Sequence, residues 1–273
     1  MGRPERICQL TNRLKNREME IKTICFLLLC LIGCSQQKEQ KWTLVWSDEF
    51  DYTGLPDPSK WGYEVGFIRN NELQYYTSAR PENAMVKNGN LLLIGRKESY
   101  ESANYTSASI TTDRKQSWTY GRIEGRMKLP KGQGMWPAFW MLGQNIHDVG
   151  WPRCGEIDIM EHINKEDILY GTLHWYNQKH VSDGTKTDCD VNNYHNYAVE
   201  WDKDAIKWFL DGTQYHEVII KDTINSTAEF NKPFYLILNL AIGGNWPKNP
   251  DETTQFPDTV YVDYVRVYQK IKK

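Results

Sequence analysis

The sequence lacks the features of a protein that spans a membrane, binds a metal through clustered histidines or binds a polyanion. Its N-terminal apolar run, residues 24–32, is too short to cross a bilayer as a helix. The six histidines are scattered without the spacing of metal ligands. Lys and Arg number 33 against 35 Asp and Glu, so no basic excess would attract nucleic acid. We therefore expect neither a nucleic-acid partner nor a membrane-spanning segment.

Residues 1–33 have the pattern of a targeting segment. Lys22 precedes the apolar run, as a basic residue precedes the h-region of a signal peptide. The next residues, Leu31-Ile32-Gly33-Cys34, resemble the lipobox of bacterial lipoproteins, in which the cysteine becomes the lipidated first residue. We therefore expect an exported lipoprotein held at the membrane only by its lipid anchor, through a flexible tether over residues 34–41.

Residues around this segment refine the prediction. Met19 is the expected true start, because residues 1–18 are polar and basic. Ser35, directly after the lipid site, resembles the signal of lipoproteins that are sent to the outer membrane. Removal of residues 1–33 takes away six basic and three acidic residues, which changes the net charge from −2 to −5.

Few cysteines remain beyond this leader. Of six in the chain, four lie at or before Cys34, which leaves Cys154 and Cys189. In an exported protein the two could form a disulfide bond, and they could equally stay as separate thiols. No arrangement of His and Asn around either cysteine indicates a catalytic thiol.

From Trp42 onward, short runs rich in Val, Ile, Tyr and Trp alternate with turn signals. Asn88-Gly89 and Asp211-Gly212 each separate two such runs and predict β-hairpins. No amphipathic helix longer than two turns is predicted. The pattern therefore indicates an all-β fold, a β-sandwich that occupies residues 42–273 as one domain.

A row of acidic residues predicts the chemistry. Glu156 and Asp158 alternate with Ile157 and Ile159, so a strand would place both acids on one face. Strict alternation would turn Glu161 to the opposite face, and a β-bulge at Ile159 or Met160 would return it to the acidic one. The bulged segment therefore predicts three carboxyl groups side by side.

Clustered carboxyl groups repel one another, so at least one pKa must rise. Glycoside hydrolysis uses such a pair: one carboxylate attacks the anomeric carbon while a protonated partner donates to the leaving oxygen, about 5 Å away. Two other interpretations of the pattern remain open. The segment could be a solvated acidic edge strand, or its carboxylates could bind a cation.

Longer blocks of the chain resemble glycoside hydrolase family 16, and within it the bacterial laminarinases, which are endo-β-1,3-glucanases. The resemblance extends over residues 42–269, and its blocks are residues 121–130, 135–142, 151–162, 171–175, 238–247 and 261–268. It implies a concanavalin-like jelly roll, two curved antiparallel sheets with the substrate cleft across the concave one.

The resemblance also implies roles for individual residues. Glu156 matches the nucleophile, Glu161 the acid/base, and Asp158 the residue that holds the nucleophile, so hydrolysis would retain the anomeric configuration. Further residues are expected to bind substrate: Trp136, Trp140, Trp151, His162, His174, Trp246, Asn71 and Arg122. Trp136 and Trp140, four residues apart, would share one face of an extended strand.

A structural calcium ion is also expected. On the last strand, Asp263 would share a face with Val265 and Val267, and an acid among apolar neighbours needs compensation. Family members often bind Ca²⁺ far from the cleft, and the resemblance implies Glu49, the backbone of Gly89 and Asp263 as its ligands.

Together these features predict a monomeric enzyme that cleaves β-1,3-glucan internally, with retention and without a catalytic cofactor. Two specificities of the same family stay open: mixed-linkage β-1,3-1,4-glucan and an algal galactan. A different class of function, a non-catalytic glucan-binding lipoprotein, would gain nothing from three mutually repelling acids.

Overall fold

A computed structural model describes residues 41–270 of the chain. The predicted signal segment, Cys34 and most of the tether lie outside the described residues. From Trp42 onward the described residues form one compact unit. Within residues 41–270, no helix has the length and apolar character needed to cross a membrane.

Seventeen strands build the fold, which confirms the all-β prediction. Their bounds are β1 Trp42–Asp48, β2 Gly62–Tyr63, β3 Gln74–Tyr76, β4 Ala84–Lys87, β5 Asn90–Tyr100, β6 Ala103–Ser107, β7 Ser109–Thr111, β8 Gly121–Lys128, β9 Met135–Gly143, β10 Glu156–Glu161, β11 Ile168–Asn177, β12 Lys179–Asp188, β13 His195–Trp201, β14 Ala205–Leu210, β15 Thr213–Ile219, β16 Phe234–Ile242 and β17 Asp258–Lys270. The described helices are short: α1 Ile146–Val149 and an interrupted 3-10 helix, Lys221–Asn231.

The strands form two sheets. The larger, of ten strands, runs in the order β15-β14-β13-β8-β17-β5-β6-β3, with β1 paired to β17 and β4 to β5. The smaller, of seven strands, runs in the order β12-β11-β10-β9-β16-β7-β2. Pairing is antiparallel except between β3 and β6. Most neighbours are distant in sequence, as in a jelly roll.

Apolar side chains of both sheets meet in one core. Alternation is clear on β8, where Ile123, Gly125 and Met127 are buried while Glu124 and Arg126 are partly exposed. In contrast, every residue of β16 is buried. A strand in the centre of a sheet can be buried on both faces only when something also covers its outer face. Here β3 supplies part of that cover, because Tyr76 accepts a hydrogen bond from the Asn239 amide at 3.1 Å and Gln74 accepts one from the Ile242 N–H at 2.7 Å.

Both predicted hairpins are present. Asn88 and Gly89 join β4 to β5, and Asp211 and Gly212 join β14 to β15. All four residues have positive φ, between 49° and 80°. Such angles suit the two-residue turns that Asn-Gly and Asp-Gly favour.

Candidate active site

The acidic strand β10 contains the predicted bulge. Asp158 pairs with Trp140 of β9 but Met160 pairs with Phe139, so one extra residue lies between these pairs. Ile159 and Met160 are both buried in the core, and Glu161 returns to the outer face with Glu156. The bulge that the spacing of the three acids predicted is therefore confirmed.

Two contacts hold this strand in place. The Trp208 indole of the larger sheet donates a hydrogen bond of 2.7 Å to the backbone carbonyl of Asp158, at the bulge where the sheet ladder is interrupted. Gly155 begins the strand with φ +78°, and a Cβ there would lie 2.9 Å from the Phe234 ring. Only glycine therefore fits the turn into Glu156 without displacing the core.

The outer face of the seven-stranded sheet carries a cavity of about 450 Å³. It brings together the three acids of β10 and three of the predicted tryptophans. Its lining includes Glu156, Asp158, Glu161, Trp136, Trp140, Trp151, Glu64, Arg69, Glu72, Tyr235 and Asn239. Its size and its aromatic and acidic lining suit a few sugar rings.

An indole N–H contacts each of the two glutamates. Trp136 Nε1 donates to Glu161 Oε1 at 3.0 Å, and Trp151 Nε1 donates to Glu156 Oε2 at 2.6 Å. Trp151 is 50% exposed, so it reaches Glu156 from the mouth of the cavity. Each donor fixes one oxygen of a carboxyl group.

Electrostatics keep at least one of these acids protonated near neutral pH. Burial raises the pKa of Glu156 to about 8, and the charge on Asp158 adds to the rise. Burial also raises the pKa of Glu161 to about 7, with a further contribution from Glu156, although the bond from Trp136 opposes it. The pKa of Asp158 is raised well above its usual value, mainly because the group is buried. The cluster can therefore supply a proton donor and a carboxylate together.

The two predicted histidines differ in position. His174 Nε2 lies 3.1 Å from Asp158 Oδ2, beside the acids. His162 is fully buried, and its ring nitrogens face the backbone carbonyls of Ile168 and Asn164. The prediction that His162 binds substrate is therefore wrong, because both nitrogens are used by the loop after β10.

Trp140 lines the cavity but offers little flat surface. It is only 6% exposed, and its Nε1 donates to Asn239 Oδ1 at 2.7 Å. The Arg69 guanidinium stacks over its ring at 4.9 Å and forms an ion pair with Glu64. The second ring of the predicted pair is thus covered, which leaves Trp136 and Trp151 as the more accessible indoles.

Trp246 and Asn71 stand close to residues of the cavity. Trp246 is 38% exposed and packs edge to face on Trp136, with ring centroids 5.5 Å apart. The Asn71 amide donates to Asn245 Oδ1 at 3.0 Å, which links the two loops that carry Asn71 and Trp246. Their role in substrate binding stays a prediction.

Arg122 is not in the cleft, so its predicted role is wrong. It lies on β8 of the larger sheet and binds Glu124 and Glu200, at 2.6 Å and 2.9 Å. Sequence blocks alone do not show which sheet a strand joins, and β8 joins the sheet opposite the cavity.

Several cavity residues were not predicted. Asn239 was detectable, because it is a polar residue within the otherwise apolar strand β16. Glu64 and Arg69 come from the segment before β3, which contains no long strand or helix. Only their contact with Trp140 and with each other identifies them, and such contacts leave no local sequence signal.

The predicted disulfide is absent. Cys154 packs beside Trp140 and Tyr235 on the outer face of the smaller sheet, whereas Cys189 belongs to the core between the sheets. Burial raises the pKa of the Cys154 thiol to about 12 and that of Cys189 to about 11. Cys154 and Cys189 are therefore two separate, unreactive thiols.

The predicted calcium ligands are engaged by arginines. Arg266 forms a two-pronged pair with Glu49, and Arg126 Nη1 lies 2.6 Å from Asp263 Oδ2. A second bulge, between Val262 and Tyr264, turns Asp263 outward, so it does not share the buried face of Val265. The expectation of an acid among apolar neighbours is therefore wrong. As they stand, these residues do not fit a calcium ion.

Comparison with known proteins agrees with the geometry. The family described as "Glycosyl hydrolases family 16" matches residues 71–266. A beta-glucanase of Rhodothermus marinus is 44% identical, over 95% of this chain and 98% of its own length.

Solved structures agree as well. The catalytic domain of an endo-1,3-beta-glucanase (laminarinase) from Thermotoga petrophila is 44% identical, with a TM-score of 0.79 over 85% of this chain and all of that one. A variant of a non-specific endo-beta-1,3(4)-glucanase is 40% identical, with a TM-score of 0.78 over 84% of this chain and 95% of that one. The chain belongs to glycosyl hydrolase family 16.

Proposed function

We propose that this protein is a retaining endo-β-1,3-glucanase of the laminarinase type. The observation that carries the proposal is the bulge in β10, which puts Glu156 and Glu161 into one cavity, each with an indole donor. Two carboxyl groups on one face suit a double displacement. The cavity between Trp136, Trp151 and the buried acids leaves room for a glycosidic bond.

The first half of the reaction forms a covalent intermediate. The Glu156 carboxylate attacks the anomeric carbon while protonated Glu161 donates its proton to the leaving oxygen. The charge on Glu156 helps to keep Glu161 protonated, because it raises the pKa of Glu161. Asp158, buried beside Glu156, holds the attacking group in position.

The second half releases the sugar. The ester bond removes the charge of Glu156, so the pKa of Glu161 falls and its carboxylate can take a proton from water. That water attacks the same carbon from the opposite side and restores the β configuration. Proton NMR of the first-formed product should show the β anomer, and an initial α anomer would contradict the double displacement.

Substrate specificity is proposed from the relatives. Laminarinases are among the most similar proteins, and the non-specific endo-beta-1,3(4)-glucanase makes mixed-linkage glucan the second candidate. Laminarin, lichenan and agarose should be digested side by side. We expect reducing ends from laminarin above all. Reducing ends from lichenan or agarose but none from laminarin would reject the specificity, and none from any substrate would favour a glucan-binding protein.

Export and membrane attachment are part of the proposal. They rest on the lipobox-like sequence before Cys34 and on the apolar run that precedes it. Cells that are fed a palmitate analogue should label the wild-type protein but not Cys34→Ala. Equal labelling of both would reject the anchor, and fractionation of the labelled cells would test the outer-membrane location.

Calcium binding stays a prediction that rests on the family resemblance. An ion at this place would have to displace Arg266 from Glu49 and Arg126 from Asp263. A melting temperature that rises on addition of Ca²⁺ in the wild type but not in Asp263→Asn would support the prediction. No rise in the wild type would reject it.

A further inference from the structure

His180 packs against Trp151, a residue of the cavity lining, and has no assigned role. It is an exposed residue near the start of β12, the edge strand of the smaller sheet. Its ring lies between Trp151, with centroids 4.7 Å apart, and His174, with Nε2 of His180 2.9 Å from Nδ1 of His174. Both neighbours contact the acids: Trp151 binds Glu156 and His174 faces Asp158.

The two imidazole rings are placed for a hydrogen bond rather than for stacking. Their planes differ by 18° and their centroids are 5.2 Å apart. With the two nitrogens 2.9 Å apart, this separation is that of rings joined edge to edge, nitrogen to nitrogen, in nearly one plane. A hydrogen bond of this kind holds one proton between the two rings.

The other nitrogen of His174 faces the acids. Its Nε2 lies 3.1 Å from Asp158 Oδ2, within the distance of an ion pair. Asp158 Oδ2 is buried and has no hydrogen-bond donor within residues 41–270. If His174 Nδ1 donates to His180, then Nε2 carries a proton only when the ring is positively charged, and that charge would compensate Asp158.

We propose that His180 is a positioning residue, which accepts a hydrogen bond from the Nδ1–H of His174 and thereby holds His174 as a cation against Asp158. The proposal rests on the proposed function, because it gives the His174–His180 pair a task in the double displacement. A cation beside three carboxyl groups lowers the pKa of Glu156 and so favours the carboxylate that attacks the sugar. His180 itself does not touch the reacting atoms.

The charged groups around the pair are consistent with this task. Glu156, Asp158 and Glu161 face His174 from β10, and a charge on His174 lowers the pKa of both glutamates. Burial, and then the charge of His174, lower the pKa of His180, so His180 is the neutral acceptor of the pair.

Arg153, a cation on this side, is separated from the pair by an aromatic ring. Tyr176 is the cross-strand neighbour of His180, and the Arg153 guanidinium stacks on the Tyr176 ring at 3.6 Å. Arg153 contributes no resolved change to the pKa of His180 or of the three acids. The positive charge in contact with the acids is therefore that of His174.

The test is the pH dependence of kcat/KM on laminarin for His180→Phe and His180→Gln. Phe keeps a ring beside Trp151 but cannot accept a hydrogen bond, whereas Gln can place an acceptor oxygen where Nε2 of His180 lies. Without the charge on His174, the pKa values of Glu156 and Glu161 rise, so both limbs of the profile should move up by about 0.5 to 1 pH unit in His180→Phe. His180→Gln should retain most of the wild-type profile.

The control is Lys179→Ala, an exposed change at the preceding residue of the same strand, which should leave the profile unchanged. A His180→Phe profile that superimposes on the wild type would overturn the proposal. Equal shifts in the Gln and Phe variants would also overturn it, because they would show that only the shape of the ring matters.

A second measurement does not depend on the substrate. Nitrogen-15 NMR of the imidazole rings in the free protein should show both nitrogens of His174 protonated at pH 7 in the wild type, and a neutral His174 in His180→Phe. A neutral His174 in the wild type would reject the proposal. If no glucan is cleaved but the NMR result holds, the proposed function fails while the pairing of the histidines stands.

Discussion

Acidic residues lie on the outer faces of both sheets, and their neighbours differ. On the larger sheet two acids pair with arginines: Glu49, directly after β1, with Arg266, and Asp263 with Arg126. On the smaller sheet, Glu156, Asp158 and Glu161 have one another, two indoles and a histidine. Carboxyl groups thus occur in two different electrostatic environments, one on each sheet.

The two settings move the pKa of a carboxyl group in opposite directions. The bond from Arg266 lowers the pKa of Glu49, whereas burial raises the pKa of Glu156 to about 8. A paired carboxylate is stable as a charge and inert, while a crowded and buried one can exchange protons near neutral pH. The difference separates acids that support the fold from acids that perform chemistry.

The sharpest test of this difference exchanges a glutamate on each sheet for glutamine. Glu156→Gln removes the nucleophile and should lower kcat on laminarin by about 10³-fold or more. Binding of laminari-oligosaccharides, measured by calorimetry, should persist because the cavity keeps its shape. The matched control, Glu200→Gln on the larger sheet, should keep activity within about twofold of the wild type. Near-normal turnover by Glu156→Gln would reject it as nucleophile.

A smaller effect is expected when Trp136, whose indole donates to Glu161, is replaced. Trp136→Phe removes a hydrogen bond that lowers the pKa of Glu161, so the alkaline limb of the activity profile should move to higher pH. A bond to a charged group is worth about 1.5 kcal/mol or more, so kcat should fall about tenfold.

Trp140→Phe is the control for this variant, because its indole donates to the amide of Asn239 and not to an acid. It should leave the alkaline limb in place. An unchanged limb in Trp136→Phe, or an equal shift in both variants, would show that the indole N–H does not tune Glu161.

The hairpins and the bulge in β10 could be predicted from the sequence, whereas the order of the strands in the sheets could not. The hairpins at Asn88 and Asp211 follow from turn residues alone, and the bulge in β10 follows from the need to bring three acids to one face. The order of strands does not follow, because most neighbours in the sheets are far apart in sequence. The jelly roll was therefore reached through family resemblance and not through local pattern.

The incorrect predictions for Asp263 and Arg122 share a physical cause. Asp263 was assigned to an apolar face because alternation was assumed, but a bulge at Asp263 itself reverses the alternation. Arg122 was assigned to the cleft although β8 belongs to the other sheet. The Trp208 bond to the Asp158 carbonyl crosses the core between the sheets. Each depends on contacts between distant segments, which a linear pattern does not encode.

The acidic cluster should also make stability depend on pH. Glu156 has a pKa of about 8 in the folded protein, above its usual 4.5, so its protonated form favours folding. Its stabilising contribution is complete below about pH 4.5 and is lost as the pH rises through 8. Glu156→Gln mimics the protonated acid and should melt about 4 °C above the wild type at pH 8, with almost no difference at pH 4.5. A wild type that melts higher at pH 8 would contradict this account of the cluster.

The smallest expected effect has the opposite sign and belongs to the larger sheet. Because Arg266 lowers the pKa of Glu49, this pair stabilises the fold above the usual carboxyl pKa and loses its effect as the pH falls through the lowered value. Glu49 is 39% exposed, so solvent screens the pair and limits its contribution. Glu49→Gln should melt about 1 to 2 °C below the wild type at pH 7 and at the same temperature at pH 2. If melting curves showed Glu49→Gln and Glu156→Gln shifting in the same direction at neutral and alkaline pH, the contrast between the two sheets would be lost.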